Sequence, residues 1–122
     1  MKSVRIERIN SEIQKAISYI IDNELRDPQI NAIVSVSGVD TTPNLAYARV
    51  YITSIGSTPG EEVLNRIKGA AGFIRGELSK RVKLRVTPRL EFKLDTSEEY
   101  SSKIENILKN ITYSTELEED DE

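Results

Sequence analysis

The chain has 122 residues, long enough for one domain with a buried core and too short for two. It contains no cysteine and no histidine, which excludes disulfides and thiolate metal sites, removes the commonest general base, and argues against an enzyme. Its net charge of −3 is unevenly spread: Glu116 to Glu122 holds six acids and one leucine, whereas Arg66 to Lys93 carries nine basic against two acidic side chains.

The opening residues Met1-Lys2-Ser3-Val4-Arg5 lack the apolar core of a signal peptide, and no run approaches the length of a membrane span, so a soluble, cytoplasmic protein is expected. From Val4 to Leu25, Ile6, Ile9, Ile13, Ile17, Ile20 and Ile21 recur at the three-four spacing of one helical stripe. This first helix must stop near Asp27-Pro28, because proline lacks an amide hydrogen and disfavours helical geometry just before it. Ile33 to Val39 is β-branched and partly alternating, a strand with Gly38 as a candidate bulge. Thr42-Pro43-Asn44 supplies a turn. Ala46 to Thr53 then alternates Ala46, Ala48, Val50 and Ile52 with Tyr47, Arg49, Tyr51 and Thr53, the pattern of a half-buried strand.

Thr58-Pro59-Gly60-Glu61 reads as a helix start, with Thr58 as N-cap, Pro59 at the first helical position and Glu61 completing a capping box. Val63, Leu64, Ile67, Ala70 and Ala71 mark its inner face, and beyond Gly72 a third helix stacks Ile74, Leu78 and Val82. Val86 to Leu94 is predicted as a third strand, with Leu90, Phe92 and Leu94 alternating against Arg89, Glu91 and Lys93. Thr96-Ser97-Glu98-Glu99 opens a last predicted helix through Ile104, Ile107, Leu108 and Ile111. The predicted order is α-β-β-α-α-β-α in an α+β fold: a three-stranded sheet with helices packed on one face. A crossover as long as a helix pair places the third strand parallel to the second or away from it. Residues 1–113 are expected to form this domain, with 114–122 as an acidic, disordered tail.

Gly69-Ala70-Ala71-Gly72 spells the Gly-x-x-Gly with which KH-type domains clamp a nucleic-acid backbone. The filling is Ala-Ala, the best helix former, so the segment is expected to be a kink between two helices whose glycines set the angle. Beyond it, Arg75, Ser79 and Lys83 lie four apart, which would aim Arg75 and Lys83 to the same side. With Lys68, Lys80, Arg81, Arg85 and Arg89 they make the footprint of a phosphate-backbone binder, which Arg5 and Arg8 on the first helix could extend. The competing reading has Arg81 and Arg85 paired with Glu77 or Glu91 and Lys83 simply solvated. Tyr47 and Tyr51 share the strand face opposite the alanine-valine set, where they either stack on bases or are ordinary half-exposed tyrosines. No nucleophile, base and orienter set emerges.

Several segments together resemble one family, the bacterial ribosome-binding factor A. They are Arg5-Ile6-Glu7-Arg8-Ile9, Asp27-Pro28, Val34-Ser35-Val36-Ser37-Gly38-Val39-Asp40 and Ala46-Tyr47-Ala48-Arg49-Val50-Tyr51, followed by Ala71-Gly72-Phe73-Ile74-Arg75-Gly76-Glu77-Leu78, Arg85-Val86-Thr87-Pro88-Arg89-Leu90-Glu91-Phe92 and Asp95-Thr96-Ser97. The likeness runs from about Arg5 to Leu108. It implies a KH domain of type II topology whose helix junction carries an Ala-x-Gly kink, matched here by Ala70-Ala71-Gly72. It also implies a ribosome assembly factor that acts without catalysis. Such a factor binds the immature 30S subunit through 16S rRNA, assists its late maturation and is linked to growth in the cold. Gly69 and the acidic tail depart from the family pattern. The expected partners are the 30S subunit, its precursor and 16S rRNA; a monomer is expected, with no cofactor, metal, membrane or small-molecule substrate. The alternative is a protein-protein adaptor with an incidental basic face.

Overall fold

The computed structural model describes residues 3–25 and 27–95. The predicted last helix and the acidic tail lie outside the described residues.

The isoleucine stripe builds α1, Val4–Asn23. Ser3 caps it by accepting a hydrogen bond from the Ile6 amide at 3.1 Å, the usual use of a serine at this position. Ile13, Ile17 and Ile20 are fully buried, with Ile9 and Ile21 nearly so, and each isoleucine removed from water contributes about 1.5–3 kcal/mol. The helix ends before Asp27-Pro28: the amides of Glu24 and Leu25 both donate to the Ile20 carbonyl and close the last turn early.

β1, Ala32–Thr41, pairs antiparallel with β2, Tyr47–Gly56. The register shifts between Val36 and Gly38, so Ser37 is the extra residue of a bulge. That shift explains the imperfect alternation, because it lets Val36 and Val39, three apart, both face the core. In the connecting turn the Leu45 amide donates to the Thr42 carbonyl, with Pro43 and Asn44 central as predicted. The left-handed residue is Leu45, at φ 59, and its side chain is buried.

α2, Gly60–Gly69, starts one residue later than the capping pattern suggests. The Thr58 hydroxyl accepts from the Asn31 amide at 2.7 Å and donates to the Gln29 carbonyl at 3.3 Å, so it ties the loop before β1 to the loop before α2. Pro59 occupies the cap position instead, without a side-chain hydrogen bond. α3, Ala71–Arg81, follows after a single residue, Ala70, which serves as C-cap of α2 and N-cap of α3. At φ −97 and ψ 7 Ala70 lies in the bridge region, and its carbonyl accepts the first bond of α3 from Ile74. The junction is a closed kink made by an alanine. Neither Gly69 nor Gly72 has a positive φ, and a Cβ added at either meets nothing within 4 Å, so the expectation that these glycines set the angle is corrected.

α3 ends at Arg81, and Val82 is extended. Lys83 therefore leaves the helical spacing that placed it above Arg75. After a connection that runs to Pro88, β3, Arg89–Leu94, begins three residues later than predicted and pairs parallel with β2. The sheet order is β1-β2-β3. α1 packs on β1 and α3, and α2 packs on β2 and β3, all over the face carrying Ala48, Val50, Ile52 and Phe92. The opposite face presents Ile33, Tyr47, Arg49, Ile55, Arg89, Glu91 and Lys93, all exposed.

Candidate nucleic-acid interface

The parallel placement of β3 leaves its outer edge next to α2, and a groove of 690 Å³ runs between them. Leu64, Leu90 and Leu94 give it an apolar lining, Ala71 at the kink closes one wall, and Lys68 and Lys93 supply its positive charge against Glu61 and Glu91. Lys68 lies in the last turn of α2, next to the kink, where a cation complements the helix dipole. The first amides of α3 have no acceptor inside that helix.

Lys93 joins the groove from the end of the basic run, on the strand face it shares with Arg89. Its signal is the strand alternation that places it two residues after Glu91, with which it pairs at 3.7 Å. Lys83 and Arg85 are exposed in the α3–β3 connection, and Arg89 is exposed at the start of β3. Among the described residues none of these three, nor Lys68, has an ion-pair partner. Arg5 and Arg8 are exposed on the first turns of α1, away from the groove residues in sequence and element.

Other cations of the basic stretch are used by the fold itself. Arg75 Nε donates to the Pro88 carbonyl at 3.1 Å and Nη2 to the Thr87 carbonyl at 2.7 Å. This arginine fastens the α3–β3 connection to α3 and does not share a phosphate-facing stripe with Lys83. Arg81 pairs with Glu24 and lies over the Tyr19 ring at 4.5 Å from its centroid, which locks the end of α3 onto the end of α1. Its partner is neither Glu77 nor Glu91. Lys80 takes Glu77 at 3.2 Å across one helical turn, an exposed pair of small value that a phosphate could displace. Arg66 bridges α2 to the α1–β1 loop through Asp27 at 3.2 Å and Gln29, with Glu62 at 3.7 Å. The contiguous positive run thus separates into structural arginines and a smaller set of exposed cations at the groove and the α3–β3 connection.

On the open face, Tyr47 is 51% exposed and Tyr51 is half-buried. Arg49 lies between them on β2. The neighbouring Tyr51 side chain, together with the Glu91 and Asp40 carboxylates, pushes the Arg49 pKa above its ordinary value. It therefore carries its charge at any working pH. Among the described residues no helix is long and apolar enough to cross a membrane.

A family model described as ribosome-binding factor A matches residues 5–108. The ribosome-binding factor A of Caldanaerobacter subterraneus subsp. tengcongensis is 43% identical over 108 residues, covering 88% of each chain. That of Acetivibrio thermocellus is 42% identical over 121 residues and covers 97% of each. The crystal structure of ribosome-binding factor A from Thermus thermophilus superimposes with a TM-score of 0.66 at 24% identity, over 73% of this chain and 94% of that one, and shows the shared fold. A Thermotoga maritima protein solved by NMR gives 0.65 at 31% identity, over 80% and 94%. A homology model of the Thermus thermophilus factor, fitted into a cryo-EM map of its complex with the 30S subunit, gives 0.58 at 25% identity, over 69% and 88%. With the family model matching nearly the whole domain and relatives above 40% identity across it, the chain belongs to the ribosome-binding factor A family.

Proposed function

We propose that this protein is an assembly factor that binds the immature 30S ribosomal subunit through 16S rRNA and assists its late maturation, with a link to growth in the cold. The observation that carries the reading is family membership over residues 5–108, together with a relative whose homology model was fitted into the map of a 30S complex. The arrangement of charge supports it: Lys68 and Lys93 at the groove, and Lys83, Arg85 and Arg89 around the α3–β3 connection, are exposed cations that can neutralise phosphates. Arg5 and Arg8 extend the contact from α1. Lys80 contributes by exchanging Glu77 for a phosphate, whereas Arg75 and Arg81 act by holding α3 in place. The action is binding in the cytoplasm, with no chemical step. In this reading residues 1–113 are the binding domain, followed in sequence by the acidic residues 114–122.

Co-sedimentation with purified ribosomal particles tests this. The protein should pellet with free 30S subunits and not with complete ribosomes. Binding to complete ribosomes alone would overturn the assembly role.

A further inference from the structure

A second cleft, of 520 Å³, opens where the outer face of the sheet meets the start of α1, and among the described residues it shares Glu91 with the groove beside α2. It lies at the hairpin end of β1 and β2, where Ser3 and Ile6 at the start of α1 line it beside Asp40, Tyr47, Arg49 and Glu91. Three features distinguish it from an ordinary patch of sheet. Tyr47 offers an aromatic ring that is half exposed. Arg49 stands opposite Asp40 on one neighbouring strand and opposite Glu91 on the other, so a guanidinium and carboxylates share one wall. The Thr41 hydroxyl, buried on the α1 side of the cleft where Thr41 stands opposite Ala48, has no hydrogen-bond partner among the described residues. The Arg49 Nε to Glu91 distance is 4.0 Å, too long for a hydrogen bond, so both groups keep capacity for a ligand.

We propose that this cleft takes one unpaired guanine of a single-stranded RNA, stacked on Tyr47 and read along its Watson–Crick edge by Glu91 and Arg49. The inference rests on the RNA-binding reading above and adds to it a base-specific contact. A phosphate suits the cleft less well than a neutral group, because two carboxylates, Asp40 and Glu91, line it with the one guanidinium of Arg49. A base is neutral and flat, matches the ring of Tyr47, and falls in the size range of a small-molecule site. Guanine alone places two donors, N1–H and the N2 amino group, side by side with an acceptor, O6. The Glu91 carboxylate accepts from the two donors and Arg49 donates to O6. Uracil and cytosine lack the adjacent donors, and adenine has an acceptor where guanine has N1–H. Arg89, opposite Tyr47 on β3 and exposed, is placed to meet the phosphate that flanks the bound base.

The test uses the full chain with two probes, a short oligouridine and the same oligomer carrying one central guanosine, in titrations at fixed salt. The guanosine oligomer should bind about tenfold more tightly, the discrimination expected of one good bidentate base contact. Tyr47→Ala should weaken it by about tenfold. Glu91→Gln should bring the two probes to equal affinity, which a purely structural role for Glu91 would not do. Both side chains are exposed, and unchanged thermal denaturation checks that the variants fold. Equal affinity for the two probes in the parent chain, with Lys68→Glu still weakening both, overturns the guanine cleft and leaves RNA binding at the groove standing. Failure of both probes to bind, together with an unaltered response of 30S binding to Lys68→Glu, overturns the cleft and the RNA reading together.

Discussion

Arg75 and Pro88 are joined by a hydrogen bond from a guanidinium Nε to a backbone carbonyl at 3.1 Å, and a second bond to Thr87 at 2.7 Å completes the bracket. A charged donor on a neutral carbonyl is worth more than an ordinary hydrogen bond, and the partial exposure of this site reduces that, so Arg75→Ala should cost about 1–2 kcal/mol. In a domain of this size that lowers Tm by roughly 4–8 °C. The salt dependence of RNA binding should stay as it is. A stable Arg75→Ala with a shallower salt slope would return this residue to the phosphate-binding set.

Arg81 makes a comparable structural contact, with Tyr19 below it and Glu24 beside it. Stacking and a partly covered ion pair together suggest a loss of about 1 kcal/mol for Arg81→Ala. Tyr19→Phe keeps the ring and should be nearly neutral, whereas Tyr19→Leu removes the stacking but not the Glu24 pair and should cost only part of the Arg81→Ala loss. Urea denaturation midpoints of the three variants distinguish stacking from the ion pair.

Glycine substitutions separate conformational need from chance. Gly76→Ala, inside α3 with nothing within 4 Å of the new Cβ, should stabilise by about 0.5–1 kcal/mol. Gly72→Ala has the same open surroundings and should leave both the kink and 30S binding unaltered. Gly56→Ala places its Cβ 2.5 Å from the Asn31 carbonyl oxygen and the Ala32 Cα, an overpacking against backbone that should cost about 1–3 kcal/mol. Thermal denaturation of the three gives opposite signs at positions 76 and 56.

Leu45 sets a backbone penalty against burial. Its left-handed conformation costs about 1–2 kcal/mol, which glycine would relieve. Losing a buried leucine side chain costs about 2–5 kcal/mol. Burial is the larger effect, so Leu45→Gly should be less stable than the parent by denaturant titration.

Periodicity made most of the fold legible. The isoleucine stripe predicts α1, the irregular alternation around Gly38 predicts the bulge, and Ala70-Ala71 predicts a kink in place of an open loop. The details that escaped depend on partners distant in sequence. Thr58 carries a capping pattern, but Asn31 and Gln29 take its hydroxyl. Proline and asparagine mark the turn, yet the left-handed residue is Leu45 because its side chain is held in the core. The site was legible as a charge run and no further. Nothing local to Arg75 or Arg81 reveals the carbonyls of Thr87 and Pro88 or the ring of Tyr19, and the groove lysines are brought together only when β3 lies parallel to β2.

The most direct measurement is the salt dependence of 30S-subunit binding for the parent chain and for the combined variant Lys68→Glu, Lys83→Glu and Arg85→Glu. Each phosphate contact contributes about 0.7–0.9 to the slope of log affinity against log salt. Loss of three contacts should make the slope shallower by about 2–3 and weaken binding at low salt most. A combined variant with the parent's slope and affinity would contradict RNA binding by these cations.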